Sequence, residues 1–86
     1  MKPVFSRHAR QDYRHWQQAD PKIARRIDAL VAEIAQSPRG EGGKPLALKH
    51  ALAGYESRRI AGEHRLVYRV TEAGGIEVAQ CRYHHE

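Results

Sequence analysis

Two stretches in the first forty residues carry apolar side chains at helical spacing. Ala9, Tyr13 and Trp16 recur at i, i+4 and i+7. That spacing puts them on one face of a helix that begins after Ser6, whose hydroxyl can cap the first turn. Ile23, Ile27, Leu30 and Ile34 form a second stripe. Its start is marked by Asp20-Pro21, a capping acceptor followed by a ring whose φ suits a first helical residue, and its end by Ser37-Pro38. The pair predicts a helical hairpin able to lay one apolar face on a sheet. Ahead of it, residues 2–5 can form a short strand, which Pro3 confines to a sheet edge or a strand start.

The period then changes. Residues 37–45, rich in Gly, Pro and Ser, read as a loop. Beyond them alternation sets in over Leu46 to Lys49, Tyr55 to Ile60, Arg65 to Thr71 and Ile76 to Tyr83. Ala61-Gly62-Glu63 and Ala73-Gly74-Gly75 read as hairpin turns. In the Arg65 strand, Leu66, Tyr68 and Val70 face the helices, while Arg65, Val67 and Arg69 face away. Helices first and strands after predict an α+β domain, with two N-terminal helices packed on one face of a curved antiparallel sheet. With 86 residues the chain has material for one core, so one domain is expected over residues 1–86.

Charge adds a direction to this frame. Fifteen Lys and Arg stand against ten Asp and Glu. Between Arg39 and Arg69 the balance is seven cations (Arg39, Lys44, Lys49, Arg58, Arg59, Arg65, Arg69) to three anions (Glu41, Glu56, Glu63), with His50 and His64 interspersed. Those cations fall on strands and loops, where helical i,i+4 pairing cannot neutralise them, so an anionic partner such as a nucleic acid is expected. Cys81, the single cysteine, excludes an internal disulfide and suits a reducing compartment. Alternation buries it beside Ala79, which makes it inert. No apolar run nears the roughly 20 residues that span a bilayer, and Met1-Lys2-Pro3-Val4-Phe5 opens no signal-peptide core. A cytoplasmic protein is the expectation.

Candidate chemistry is narrow. The chain has no phosphate-cradling Gly-rich loop and no cysteine pair for zinc, and His84-His85-Glu86 at a chain end would make a poor closed metal site. What remains is Arg65 together with His84 and His85, which hairpin pairing brings to the edge of the neighbouring strand. Glu63 shares the parity of Arg65 if the strand extends that far. A guanidinium can neutralise a pentacoordinate phosphate, and an imidazolium can protonate a leaving oxygen. The same residues suit a phosphate-binding surface without turnover.

Five groups of residues then carry a resemblance. Asp12-Tyr13-x-x-Trp16-Gln17, Leu48-Lys49-His50, Leu52-x-Gly54-x-x-Ser57-Arg58-Arg59-Ile60, Glu63-His64-Arg65-Leu66-Val67-Tyr68 and Cys81-Arg82-Tyr83-His84 succeed one another with the spacing of the YoeB/Txe toxins of the RelE/ParE superfamily. The resemblance covers essentially the whole chain. It implies a RelE-like fold and a toxin of a type II toxin–antitoxin pair, restrained by a YefM-like antitoxin and often dimeric. It further implies a cytoplasmic endoribonuclease that cuts mRNA on the 70S ribosome without metal or cofactor and so inhibits translation. Carried over by position, Arg65 stabilises the phosphorane and His84 is the general acid. Lys49, Arg58 and Arg59 hold RNA phosphates, with Lys44 and His50 in the same basic stretch.

Two positions depart from the family pattern. The family places a glutamate, its general base, after Lys-Pro; here Lys44-Pro45 is followed by Leu46, which cannot take a proton. The family's usual His-Tyr ending is replaced by His84-His85-Glu86. His85, Glu63 or Glu86 must then serve as base, or the enzyme runs without one. Leu46 also favours a second reading, a weakened or non-catalytic toxin of the ParE type that binds a ribosome or a protein target.

Overall fold

A computed structural model describes residues 3–36, 46–47 and 53–83. The chain runs β1 (Val4–Phe5), α1 (Arg7–Ala19), α2 (Pro21–Gln36), β2 (Leu46–Ala47), β3 (Glu56–Ala61), β4 (His64–Val70) and β5 (Ile76–Gln80). The strands form one sheet in the order β1-β5-β4-β3-β2. Its hairpin-linked strands are antiparallel, whereas β1 runs parallel to β5 at the edge. The sheet is therefore mixed rather than purely antiparallel. The long crossover through both helices returns the chain to the sheet with β1 at one edge and β2 at the other.

The helices begin and end where their caps predict. Ser6 Oγ accepts from Ala9 N–H at 3.0 Å and donates to Ala79 C=O at 2.8 Å, so one hydroxyl caps α1 and ties it to β5. Asp20 closes α1 by donating its N–H to Trp16 C=O, and opens α2 by accepting from Lys22 N–H through Oδ1. Ala9 and Trp16 from α1, Ala24, Ile27, Leu30 and Ile34 from α2, and Ile60, Leu66, Tyr68, Ile76 and Val78 from the sheet form one core. Val70 packs against its edge. Tyr13, half-buried, donates its hydroxyl to Asp28 and bridges the two helices. Desolvation first, and then that carboxylate, push its phenol above the usual range.

Two β-bulges flank the first half of β4. Arg59 pairs with Arg65 but Ala61 pairs with His64, so Ile60 is an extra residue on β3. Tyr68 pairs with Val78 but Val67 pairs with Gln80, so Ala79 is an extra residue on β5. A bulge reverses the facing of the residues beyond it. That is why Cys81 does not share a face with Ala79, as alternation expects. It enters the core beneath the helices, fully buried, with its thiol pushed up to about 12 by burial and then by Asp12. No helix among the described residues is long and apolar enough to cross a membrane.

Candidate active site

The face of the sheet opposite the helices carries the cations. Arg59 and Arg65 are directly paired across β3 and β4. Like charges in that position repel, by roughly 0.2–1 kcal/mol, unless an anion lies between them. Arg69 on the same face is already neutralised: it pairs with Glu77 across β4 and β5 and lies over the Tyr55 ring at 5.6 Å. Hydrogen bonding to Glu77 raises its pKa further.

Arg65 is half-buried and fixed by one residue. Its Nε donates to Ser57 Oγ at 2.8 Å and its Nη2 to Ser57 C=O at 3.3 Å. Ser57 is fully buried in β3, so the guanidinium is held from beneath. Two of the five guanidinium N–H groups are spent this way, and the others make no hydrogen bond among the described residues. A guanidinium so oriented and half-desolvated suits a phosphate better than a freely swinging one.

The backbone of Arg65 also holds Tyr83, donating its N–H to Tyr83 C=O at 3.1 Å. Tyr83 N–H in turn donates to His64 Nδ1 at 2.9 Å. Both peptide groups of Tyr83 are thus bound to the first two residues of β4, directly before His84 in the sequence. Two residues earlier the pattern repeats on the helix: Cys81 N–H donates to Asp12 Oδ2 at 3.1 Å, and Trp16 Nε1 donates to Cys81 C=O at 2.9 Å.

Comparison with known proteins decides what this arrangement belongs to. Residues 5–85 match the family model described as "YoeB-like toxin of bacterial type II toxin-antitoxin system". The curated Toxin YoeB of Escherichia coli (strain K12) is 44% identical over 85 residues, covering 99% of this chain and 100% of that protein. The chain belongs to the YoeB family of type II toxins. Among solved structures, the "YoeB/ParE toxin from Agrobacterium tumefaciens" superposes with a TM-score of 0.90 at 43% identity, covering 99% of this chain and 100% of that one. The Staphylococcus aureus toxin is solved as a YoeB–YefM complex, with a TM-score of 0.88, 43% identity and coverage of 99% and 98%. It is also solved as a YoeB dimer, with a TM-score of 0.88, 44% identity and the same coverage. The family and the RelE-like α+β fold expected from the motifs both stand.

Among the expected YoeB site residues, the structure brings Arg65 and Arg59 together and separates Arg58 from them. Arg58 pairs with Leu66 on the helix-facing side and is only 3% exposed. Its Nε donates to the Tyr68 hydroxyl at 3.0 Å and its Nη1 lies 4.0 Å from the Glu33 carboxylate. Its role as a phosphate ligand is therefore corrected: strand parity turns it into the core. β4 begins at His64, so Glu63 sits exposed in the turn after Gly62, whose φ of 56° suits glycine. The parity linking Glu63 to Arg65 does not reach it. Leu46 holds the register position opposite Ser57. Lys44, Lys49, His50, His84, His85 and Glu86 lie outside the described residues.

The residues that sequence reading missed are Ser57, His64, Asp12 and Trp16. Trp16 reads correctly as a core aromatic, but its indole N–H has a second task. Asp12 is 7% exposed on an otherwise apolar helix face, and a buried carboxylate at i−4 from a tryptophan was the available signal.

Proposed function

We propose that this YoeB-family toxin is a cytoplasmic endoribonuclease that cleaves mRNA at the ribosome and thereby inhibits translation. The observation that carries the reading is Arg65, held from beneath by Ser57 and bound through its backbone to Tyr83, the residue before His84. In this mechanism a ribose 2′-oxygen attacks the adjacent phosphorus. The bond from phosphorus to the 5′-oxygen breaks, leaving a 2′,3′-cyclic phosphate and a 5′-hydroxyl. Arg65, with Arg59 paired beside it, neutralises the added charge on the phosphorane. His84 gives its proton to the departing 5′-oxygen, while Lys44, Lys49 and His50 bind flanking phosphates. The 2′-hydroxyl proton goes to His85, which takes the place of the glutamate that Leu46 replaces. No metal enters these steps.

The chain is restrained by a YefM-like antitoxin and forms a homodimer, as its Staphylococcus aureus relative does in the solved complex and dimer. An acidic antitoxin segment is the natural cover for the Arg59–Arg65 pair. The second reading, a ParE-type binder that does not cut, rests on Leu46 alone.

The test is primer extension on translated mRNA with purified toxin and its Arg65→Ala, His84→Ala, His85→Ala and Leu46→Glu variants. Losing the phosphorane clamp or the acid lowers the cleavage rate about 10²–10⁴-fold with the fold intact. Cleavage that survives both Arg65→Ala and His84→Ala overturns the reading. If His85→Ala costs less than tenfold while Leu46→Glu raises the rate, His85 is not the base.

A further inference from the structure

The last strand of the sheet ends at Gln80, yet Cys81 and Tyr83 beyond it are each held through both backbone groups. Cys81 has its N–H bound by Asp12 and its C=O bound by Trp16, both from α1. Tyr83 has its N–H bound by His64 and its C=O bound by the N–H of Arg65, both from β4. Tyr83 is also the one non-glycine residue with positive φ among those described, at 58°. A tyrosine persists in that region only where its surroundings over-determine it. Here the His64 ring is wedged between Trp16 and Tyr83, with centroids at 4.6 and 4.5 Å. The position and heading of the backbone at Tyr83 are therefore set by the first two residues of β4, with α1 behind them.

We infer that His64, with Asp12 and Trp16 behind it, is a positioning residue for the general acid: its Nδ1 holds the peptide N–H of Tyr83, the residue to which His84 is directly bonded. This rests on the proposed role of His84. The essential feature of His64 is an acceptor at the δ position. Nδ1 accepts from the Tyr83 N–H at 2.9 Å, so the contact depends on an acceptor at that position. Asparagine keeps an acceptor near that point, whereas glutamine carries its acceptor one bond further out. Misplacing a reacting group by an ångström can cost about a hundredfold in rate.

The experiment is single-turnover cleavage of a model mRNA on ribosomes, comparing His64→Asn with His64→Gln. Each is made in the wild-type and in the His84→Ala background, with thermal midpoints recorded for all proteins. His64→Asn is expected to keep kcat within about threefold. His64→Gln is expected to lower kcat tenfold or more with KM unchanged. In the His84→Ala background the same change is expected to add less than twofold, because there is no acid left to place. Equal kcat for the Asn and Gln variants, or a His64→Gln loss that persists in full without His84, overturns the inference. If His64→Gln does not fold, Trp16→Phe replaces it, since it removes the N–H to Cys81 and keeps an aromatic ring in the core. Trp16→Phe is then expected to lower kcat with KM unchanged and to add less than twofold in the His84→Ala background. No loss, or a loss that persists in full without His84, overturns the inference. Full activity in His84→Ala itself refutes the functional reading instead, so the two failures are distinguishable.

Discussion

The two faces of β4 are built by alternate residues of one strand and meet opposite demands. Leu66 and Tyr68 are fully buried under the helices and Val70 packs against that core, each in a setting where apolar area leaving water is worth about 25 cal/mol per Å². Arg65 and Arg69 stand on the other face, beside Arg59 of β3, and each is held by a polar partner rather than by packing. Even the exceptions obey the same logic. Arg58 lies on the helix side and is satisfied there by Tyr68 and Glu33, while Ser57 and Val67 are fully buried on the Arg65 side. Apart from Asp12 and Trp16, which reach from α1 to the backbone of Cys81, one face sets stability and the other sets orientation, so they should fail separately.

Truncation on the helix side breaks the comparison most directly. Ile27 is fully buried, and Ile27→Ala is expected to lower unfolding free energy by about 2–5 kcal/mol. Chemical denaturation measures this. The molecules that remain folded should cleave RNA at the wild-type rate, and a large loss of activity per folded molecule would show that the faces are not independent.

Alkaline pH probes the same dry side. Cys81 titrates from about 12 in the folded chain against 9.0 for the ordinary thiol. The folded state holds its proton more tightly, so this stabilisation is complete below pH 9 and is lost as pH rises towards 12. The slope is roughly 1.4 kcal/mol per pH unit inside that window. Tyr68, raised by its own burial despite the opposing Arg58, steepens the upper end. Denaturation midpoints for wild type and Cys81→Ala across roughly pH 8–11 check it. Parallel slopes would mean that the thiol contributes nothing.

The smallest effects sharpen the contrast through two adjacent arginines. Arg58→Ala should cost about 1–3 kcal/mol of stability, because it strips the buried Tyr68 hydroxyl of its partner. It should leave the salt dependence of RNA binding unchanged. Arg59→Ala should change stability by less than about 0.5 kcal/mol and flatten the log–log salt slope by about 0.7–0.9. Reversed results for the pair would mean that β3 is registered one residue away from the observed pairing.

Much of this was legible residue by residue. Ser6, Asp20 and Pro21 set the helix starts because a cap needs a local acceptor and a suitable φ, and nothing distant competes. The two helical stripes and the Leu66–Tyr68–Val70 face came from periods of 3.6 and 2. Arg65 was legible as a candidate through its motif. Arg58 and Glu63 were misplaced because simple alternation cannot see where a strand starts or which way its register is pinned.

By itself the sequence determined the α+β order, the capped hairpin of helices, the basic excess and the family, since each is encoded by neighbours along the chain. Tertiary structure alone decided that Ile60 and Ala79 bulge, that Cys81 turns inward, and that Ser57 carries Arg65. It also decided that Asp12, Trp16 and His64 hold the peptide groups of Cys81 and Tyr83. Those contacts join residues 19 to 69 positions apart. A hydrogen bond of that span leaves no periodic trace, because it depends on how two finished elements pack and not on the pattern within either.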